Sequence, residues 1–371
     1  MKQFERSMLT GKAILIISPE PWDHIFVSKH HYAKHLAARG NKVYFLNPPS
    51  DQNRITPSRY ENLSILDYSG FVNGLRFLPK TLRKPLIKRV WRKLEQMAGL
   101  RFDVIWSFDN SVFYEFDALP DNVLKISHIV DLNQDFMTER AARSADICFA
   151  TTRQIKDRLS KFNPRTFQVT HGVNVPEVDA LDVMLPGLNE FKVVYAGNLG
   201  MPYMDWEILN MAASRLKNVD FVFYGPGEGE LDIYSSNQRA SKDSFLGLEN
   251  TYFPGKVDSA KLPAIYLASH VLLIAYQEVH HRDQANPHKM MEYLASGKPI
   301  VATYTAEYAD LDFICMSKRN EDWPDLLQHT IENLDSENTP EKVTARKAFA
   351  LNNTYDKQID RIEEIISRVC K

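Results

Sequence analysis

The sequence predicts an α/β protein with two doubly wound domains, each built on a mainly parallel sheet. The length of 371 residues suits two domains of ordinary size, and a content of 44% hydrophobic and 25% charged residues is typical of globular chains. Short apolar runs of strand length alternate with helix-like runs throughout the chain, which indicates βαβ units. A segment without periodicity divides these runs into two series, so we expect two sheets.

The predicted strands and the linker define the domain boundaries. The first series of strands is expected at residues 13–17, 43–47, 63–66, 104–108, 123–130, 147–151 and 167–170, with a helix at 28–39. The second series is expected at residues 192–196, 221–224, 252–253, 271–276, 300–303 and 313–316. Residues 175–190 contain Pro176, Pro186 and Gly187 without a clear period, which is typical of a linker. We therefore predict domains at 1–182 and 188–354.

The last segment, residues 355–371, is predicted to contain an amphipathic helix. Its apolar residues recur at helical spacing, at Ile359, Ile362, Ile365, Ile366 and Val369. A stripe of this kind has to be buried against one of the two domains.

Composition and cysteine content favour a cytoplasmic protein. The longest nearly apolar stretch, 264–276, is too short to cross a bilayer, and the polar residues 1–10 do not form a signal peptide. The three cysteines are too far apart in sequence for a disulfide framework or a zinc site.

The segment 286–303 carries the clearest chemical pattern. Asn286 and Pro287 precede a predicted helix that Gly297 ends, and a buried strand is expected next. Lys289 and Glu292 then lie on one face near the start of this helix, because residues three apart nearly align. Helix amides and an ammonium attract oxyanions, whereas a carboxylate accepts hydrogen bonds from a diol. The pattern therefore predicts a nucleotide diphosphate site, with an ordinary solvated Lys and Glu pair as the alternative.

Other candidate binding residues follow predicted strands of the second domain. Glycine allows close backbone approach, so the loops at Gly197 with Asn198 and at Gly225 are candidate ligand contacts, with plain turns as the alternative. The stretch 276–284 adds Arg282, whose planar fork matches phosphate oxygens. Its adjacent histidines, His280 and His281, are a poor metal pair, so no metal site is expected.

The run from Glu292 to Val301 resembles the donor-site helix of GT-B glycosyltransferases, in particular the large family 4 group. The shared pattern is a glutamate, Ala or Tyr, a short apolar stretch, Gly, any residue, Pro and two β-branched residues. The resemblance implies two Rossmann-like domains that face each other across a cleft, with the C-terminal helix packing back on the first. It also implies that Glu292 binds the nucleotide ribose and that Lys256 and Val257 flank the base.

The chain departs from the family pattern at three positions. Gln284 stands where the family has a second glutamate that contacts the donor sugar, and Asn198 stands where an arginine is expected. Pro287 replaces a glycine whose amide meets phosphate, and proline has no amide hydrogen. Binding of phosphate would therefore fall to Lys289, Arg282 and His288.

The segment 127–135 of the first domain contains the candidate catalytic groups. Asp131 and His128 lie at the end of a predicted strand, where a carboxylate or imidazole can orient or deprotonate a hydroxyl. A buried histidine without a catalytic role is the alternative for His128.

The segment 76–101 holds nine basic residues against one acid, Glu95. Apolar residues including Trp91 are interleaved and give it an amphipathic helical character. Basic amphipathic helices bind anionic membranes, whereas the sequence has neither an array of stacking aromatics nor a nucleic-acid motif. We expect a membrane partner and no nucleic acid, with a solvated helix face as the alternative.

These observations favour a metal-independent glycosyltransferase of the hexosyltransferase type. It would transfer a sugar from a nucleotide diphosphate donor, a UDP-sugar for preference, to a glycan or lipid-linked acceptor at the cytoplasmic membrane face. The resemblance implies retention of configuration, but inversion with Asp131 as the base stays open. The alternatives are an epimerase or hydrolase of nucleotide sugars with the same fold and a non-catalytic scaffold that binds them.

Overall fold

The computed structural model describes residues 9–175, 183–227 and 235–369. Contacts group the described residues up to 172, together with those from 355 onward, in one compact unit, and residues 173–354 in a second. Part of the predicted linker, 176–182, and Cys370 lie outside the described residues.

The sheet of the first unit has eight described strands in the order β3-β4-β2-β1-β5-β6-β7-β8. They are β1 (Ala13–Ile17), β2 (Lys42–Leu46), β3 (Arg54–Pro57), β4 (Leu63–Asp67), β5 (Val104–Ser107), β6 (Leu124–Ile129), β7 (Ile147–Ala150) and β8 (Thr166–Gln168). All neighbours are parallel except β3 and β4, which are antiparallel. Strand β3 was not predicted from the sequence, because this edge strand is mostly exposed and carries no apolar alternation.

The described helices of the first unit are α1 (Ser28–Ala38), α2 (Lys80–Ala98), α3 (Thr138–Ser144), α4 (Arg153–Ser160) and, at the end of the chain, α12 (Tyr355–Val369). The isoleucine stripe of α12 is buried: Ile359, Ile362 and Ile366 pack in one core cluster with residues of β1 and β5. A Cβ at Gly172 would lie 2.5 Å from the ring of Tyr355, so the close approach of α12 requires glycine there.

Helix α2 packs its apolar face inward. Ile87, Val90, Trp91 and Leu94 are buried in a cluster with β1 and the segment around Phe113. Trp91 is only 2% exposed, so this tryptophan belongs to the core of the first unit and not to the exposed basic surface. The segment carries many charges, and these obscured the fact that its apolar stripe is part of the core.

The sheet of the second unit has six described strands, all parallel, in the order β11-β10-β9-β12-β13-β14. They are β9 (Phe191–Ala196), β10 (Val219–Tyr224), β11 (Thr251–Gly255), β12 (Val271–Ile274), β13 (Ile300–Ala302) and β14 (Cys315–Met316). The described helices of this unit are α5 (Trp206–Arg215), α6 (Ser236–Leu246), α7 (Leu262–Ala268), α8 (His288–Ser296), α9 (Trp323–Glu332), α10 (Leu334–Glu337) and α11 (Pro340–Leu351).

The predicted strands of both series have counterparts in these sheets, and the helices expected at 28–39 and after Pro287 are also present. Within the described ranges no helix is long and apolar enough to span a membrane.

Candidate functional site

Helix α8 begins after Pro287 and ends before Gly297, the two residues from which its ends were predicted. Pro287 has the extended conformation of an N-cap residue, and Gly297 ends the helix with a positive φ of 76°. Met290, Met291, Tyr293 and Leu294 form its buried face. The buried guanidinium of Arg346 donates to the carbonyl oxygen of Gly297 at 3.1 Å. Because α8 follows the parallel strand β12, its amino end lies at the edge of the sheet where the parallel strands end.

Lys289 lies on the first turn of α8 and contacts two tyrosines. Its Nζ donates to the phenolic oxygens of Tyr276 at 2.8 Å and Tyr195 at 3.1 Å. It also lies 4.6 Å from the ring centroid of Tyr195 and 5.4 Å from that of Tyr276. Hydrogen bonds and cation–π attraction therefore hold the ammonium in one place.

The two tyrosines are themselves held firmly. Both are 1% exposed, and burial raises the pKa of each phenol well above its usual range, so each remains neutral. The backbone N–H of Tyr276 donates to Thr303 Oγ1 at 3.0 Å, and its carbonyl oxygen accepts from Asn320 Nδ2 at 2.7 Å. Tyr195 and Tyr276 could not be recognised as site residues from the sequence, because strand periodicity does not reveal that β9 and β12 are neighbours.

Two glycine-containing loops follow β9 and β10, and the loop at Gly197 lies beside this ammonium. Gly197 N–H donates to the carbonyl oxygen of Tyr224 at 2.9 Å, and Gly225 N–H donates to that of Gly255 at 3.0 Å. A Cβ at Gly225, whose φ is 139°, would lie 1.7 Å from the carbonyl oxygen of Gly197. A Cβ at Gly197 would lie 3.0 Å from Lys289 Nζ. Both glycines are therefore required for close packing of these loops around the ammonium.

Glu292 lies one turn beyond Lys289 on α8. Tyr266 of α7 donates its hydroxyl to Glu292 Oε2 at 3.0 Å. The side chain is reached by solvent, yet the surrounding protein desolvates the carboxylate and raises its pKa, while Tyr266 and Lys289 oppose that shift. Its second oxygen is thus available to a ligand beside a fixed ammonium.

The loop before α8 carries the remaining predicted phosphate and sugar contacts. Arg282 is exposed, and Gln284 is half-buried with its N–H donating to the carbonyl oxygen of His280 at 2.8 Å. His288 is the first residue of α8 and is exposed. Arg282, Gln284 and His288 all lie at the amino-terminal side of α8.

The remaining predicted donor residues lie on loops at the same sheet edge. Asn198 is exposed, and its Oδ1 accepts from the N–H of Gly200 at 2.9 Å, so this oxygen stabilises a local turn. Lys256 is exposed and Val257 is half-buried in the loop after β11. In the described part of the chain, no group of three or more His, Cys, Asp or Glu side chains is arranged to hold a metal ion.

The two candidate catalytic residues of the first unit have different environments. Asp131 follows β6, and its side chain is exposed. The surrounding protein raises the pKa of this carboxyl, while Lys29 opposes the shift. Lys29 is 2% exposed and forms an ion pair with Glu20 in the loop after β1.

His128 is fully buried within β6. Its ring stacks on Phe108 at 4.8 Å between centroids, and its Nδ1 accepts from Trp106 Nε1 at 3.3 Å. Burial lowers its pKa to about 3. The expectation that His128 takes part in catalysis is therefore wrong, because a substrate cannot reach a neutral imidazole inside an aromatic core.

Comparison with known proteins identifies the fold and the second unit. Residues 190–332 match the family model described as glycosyl transferases group 1. No curated protein matches the chain. Three solved structures are similar over 96 to 97% of this chain and 99% of their own.

These three are sucrose-phosphate synthase from Thermosynechococcus elongatus, Anabaena HepE in complex with UDP and glucose, and a glycosyltransferase from Rickettsia africae. Their TM-scores are 0.68, 0.67 and 0.67, and their sequence identities are 13%, 15% and 13%. The resemblance inferred from the sequence is thus confirmed: the chain has the GT-B fold of these glycosyltransferases, and residues 190–332 of its second unit match the glycosyl transferases group 1 model.

Proposed function

We propose that this protein is a glycosyltransferase that transfers a sugar from a nucleotide diphosphate sugar to a glycan or lipid-linked acceptor. The observation that carries the proposal is the ammonium of Lys289, held by two tyrosines beside Gly197, with Glu292 one turn further along α8. A cation next to glycine loops suits a diphosphate, and an adjacent carboxylate suits a ribose diol.

The comparisons support a UDP-sugar as the donor. The matched region, residues 190–332, includes each residue assigned to the donor site. The similar structure of HepE holds UDP and glucose. We assign the ribose to Glu292, the base to the loops at Gly225 and at Lys256 with Val257, and the donor sugar to Gln284.

Charge neutralisation on the departing diphosphate would come from this chain's own groups. Lys289, Arg282, His288 and the amino end of α8 supply positive charge and N–H donors. The loop at Gly197 and Asn198 would approach the phosphates closely. We propose a metal-independent reaction, so turnover in EDTA should equal turnover in magnesium; loss of turnover in EDTA that magnesium restores would contradict this.

The stereochemical course follows from which group deprotonates the acceptor. With retention, a phosphate oxygen of the leaving group assists, and Asp131 is dispensable. With inversion, Asp131 acts as the general base, and its raised pKa suits that role. We propose retention, and the anomeric configuration of the product distinguishes the two courses.

A donor screen with detection by mass spectrometry tests the function itself. The protein is incubated with individual nucleotide sugars, with and without a glycolipid extract as the acceptor source. A transferase releases nucleoside diphosphate rapidly only when acceptor is present. Rapid release without acceptor, or isomerisation of the sugar, would indicate a hydrolase or epimerase. Donor binding without turnover under either condition would indicate a scaffold.

We propose an anionic membrane surface, at the cytoplasmic face, as the site of action. Lys88, Arg89 and Arg92 are exposed on α2, and each basic residue near such a surface contributes about 1 kcal/mol. Binding to vesicles that contain phosphatidylglycerol should therefore weaken at high salt. Equal binding to neutral and anionic vesicles would contradict the electrostatic part of this proposal.

A further inference from the structure

Three large apolar side chains are exposed around the start of α2. Phe77 is 76% exposed, Leu82 on the first turn of α2 is 54% exposed, and Phe136 in the loop before α3 is 40% exposed. They differ from the apolar stripe of α2 that includes Trp91, which is buried in the core. Single exposed apolar residues are ordinary, but the two phenylalanines flank a cation.

That cation is Arg76, which lies between the two phenylalanines. Its guanidinium carbon is 4.6 Å from the ring centroid of Phe77 and 5.1 Å from that of Phe136. Stacking on two rings restricts a side chain that is otherwise flexible and exposed. Because the rings contact the faces of the guanidinium, the N–H groups at its edge remain available to a phosphate.

The charges near these residues are unequally neutralised. Lys80 and Lys84 both pair with Asp117, and buried Arg83 pairs with Glu115. Further along α2 the exposed basic residues Lys88, Arg89 and Arg92 are accompanied only by Glu95 on the same helix. This surface thus combines exposed apolar side chains with exposed basic residues, which is the composition of an interfacial membrane site.

We propose that Phe77, Leu82 and Phe136 insert into the headgroup region of an anionic bilayer and that Arg76 binds a lipid phosphate between the two rings. This inference rests on the membrane partner of the proposed function. It assigns the lipid contact to the start of α2 and to the loop of Phe136, rather than to the helix face that bears Trp91.

Brominated lipids test insertion directly in the full-length protein. The variant Phe77→Trp places a fluorophore at the most exposed of the three positions. Of the five natural tryptophans, Trp91, Trp106, Trp206 and Trp323 are buried and Trp22 is half-buried, and the unaltered protein corrects for their signal. On vesicles of 30% phosphatidylglycerol in phosphatidylcholine, brominated chains should quench the variant more than the unaltered protein. Equal quenching in both, with the protein bound to the vesicles, would overturn insertion.

Sedimentation with the same vesicles tests the energetic contribution. The double variant Phe77→Ser with Leu82→Ser leaves the charge unchanged, so loss of insertion should weaken vesicle binding at least tenfold. The matched control is Leu351→Ser, because Leu351 is 52% exposed and is not part of the group around Arg76. Unchanged binding of the double variant would overturn the proposal, as would equal weakening by the control.

The same variants separate this inference from the donor site. Affinity for UDP, measured by calorimetry, should be equal in the double variant and the unaltered protein. Loss of vesicle binding with intact UDP affinity supports the inference, whereas absence of vesicle binding in the unaltered protein overturns it and leaves the donor site unaffected. Tight binding of single-stranded DNA that the serine substitutions abolish would assign the surface to nucleic acid and overturn the lipid proposal.

Discussion

Lys289 and Tyr276 form a hydrogen bond of 2.8 Å between the ammonium Nζ and the phenolic oxygen, at the edge of the sheet where β12 ends. Tyr195 forms a second such bond from the neighbouring strand β9, at 3.1 Å. The two strands are adjacent in the sheet but separated by about eighty residues in sequence. A single cation is therefore positioned by two strands and one helix.

Removing these hydroxyls should weaken binding of the diphosphate while leaving the fold intact. The double variant Tyr195→Phe with Tyr276→Phe keeps both rings but removes the two acceptors that orient Lys289. Each lost bond to a charged donor costs about 1.5 to 3 kcal/mol at most, so we expect UDP affinity to fall roughly tenfold or more. Calorimetry with UDP checks this, and unchanged affinity would show that the phenols do not position the ammonium.

Substitution of Gly225 should mainly reduce stability, whereas substitution of Gly197 should mainly reduce UDP affinity. Gly225→Ala forces a Cβ against the carbonyl oxygen of Gly197 in a backbone conformation that alanine avoids. We expect destabilisation of about 2 to 4 kcal/mol and a lower melting temperature by calorimetry. Gly197→Ala instead crowds the Tyr195 hydroxyl at 2.8 Å and Lys289 Nζ at 3.0 Å, so it should displace the ammonium and lower UDP affinity more than stability. The same ratio of effects in both variants would contradict this distinction.

Glu292 should affect stability and ligand binding in opposite directions. Its folded-state pKa is raised, so the folded protein binds a proton more tightly than the unfolded chain, and stability falls as pH rises through the window between the two pKa values. Glu292→Gln should therefore stabilise the unliganded protein near neutral pH, with a smaller gain in acid. The variant should also lose affinity for UDP but keep its affinity for pyrophosphate. Equal losses for both ligands would remove the ribose assignment.

Substitution of His128 should change the stability of the protein in acid rather than its catalysis. Its folded-state pKa of about 3 lies below the ordinary value of 6.5, so its contribution to stability is complete above pH 6.5 and is lost as pH falls towards 3. One pKa unit corresponds to about 1.4 kcal/mol, so the total is on the order of several kcal/mol. His128→Phe should flatten the loss of stability between these pH values, measured by urea unfolding. The control is His24→Phe, because His24 is exposed. If the free energy of unfolding depended on pH in the same way in both variants, the role of His128 in acid unfolding would be contradicted.

The sequence predicted the elements of the fold well because alternating apolar runs and the Pro287 and Gly297 signals are local. It also identified Lys289 and Glu292, since helical spacing alone puts them on one face. It could not identify Tyr195, Tyr276 and Tyr266, because their contacts depend on which strands and helices become neighbours. Nor could it separate a buried His128 from a reactive one, since β6 is buried along its whole length.

The exposed surface of α2 shows a related limit. Counting charges in residues 76–101 correctly indicates a basic surface, but Trp91 belongs to the core and Phe136 comes from a distant loop. The arrangement around Arg76 depends on tertiary contacts that neither segment encodes alone.

The most direct test of the donor site compares Lys289→Met with Lys298→Met by calorimetry. Lys298 is the matched control because it is also partly buried and lies just beyond the opposite end of α8. Removing the ammonium of Lys289 should weaken both UDP and pyrophosphate binding by about 1.5 to 3 kcal/mol, roughly ten- to a hundredfold, while Lys298→Met leaves both unchanged. Equal affinities of the two variants for UDP would contradict the assignment of α8 as the diphosphate-binding helix.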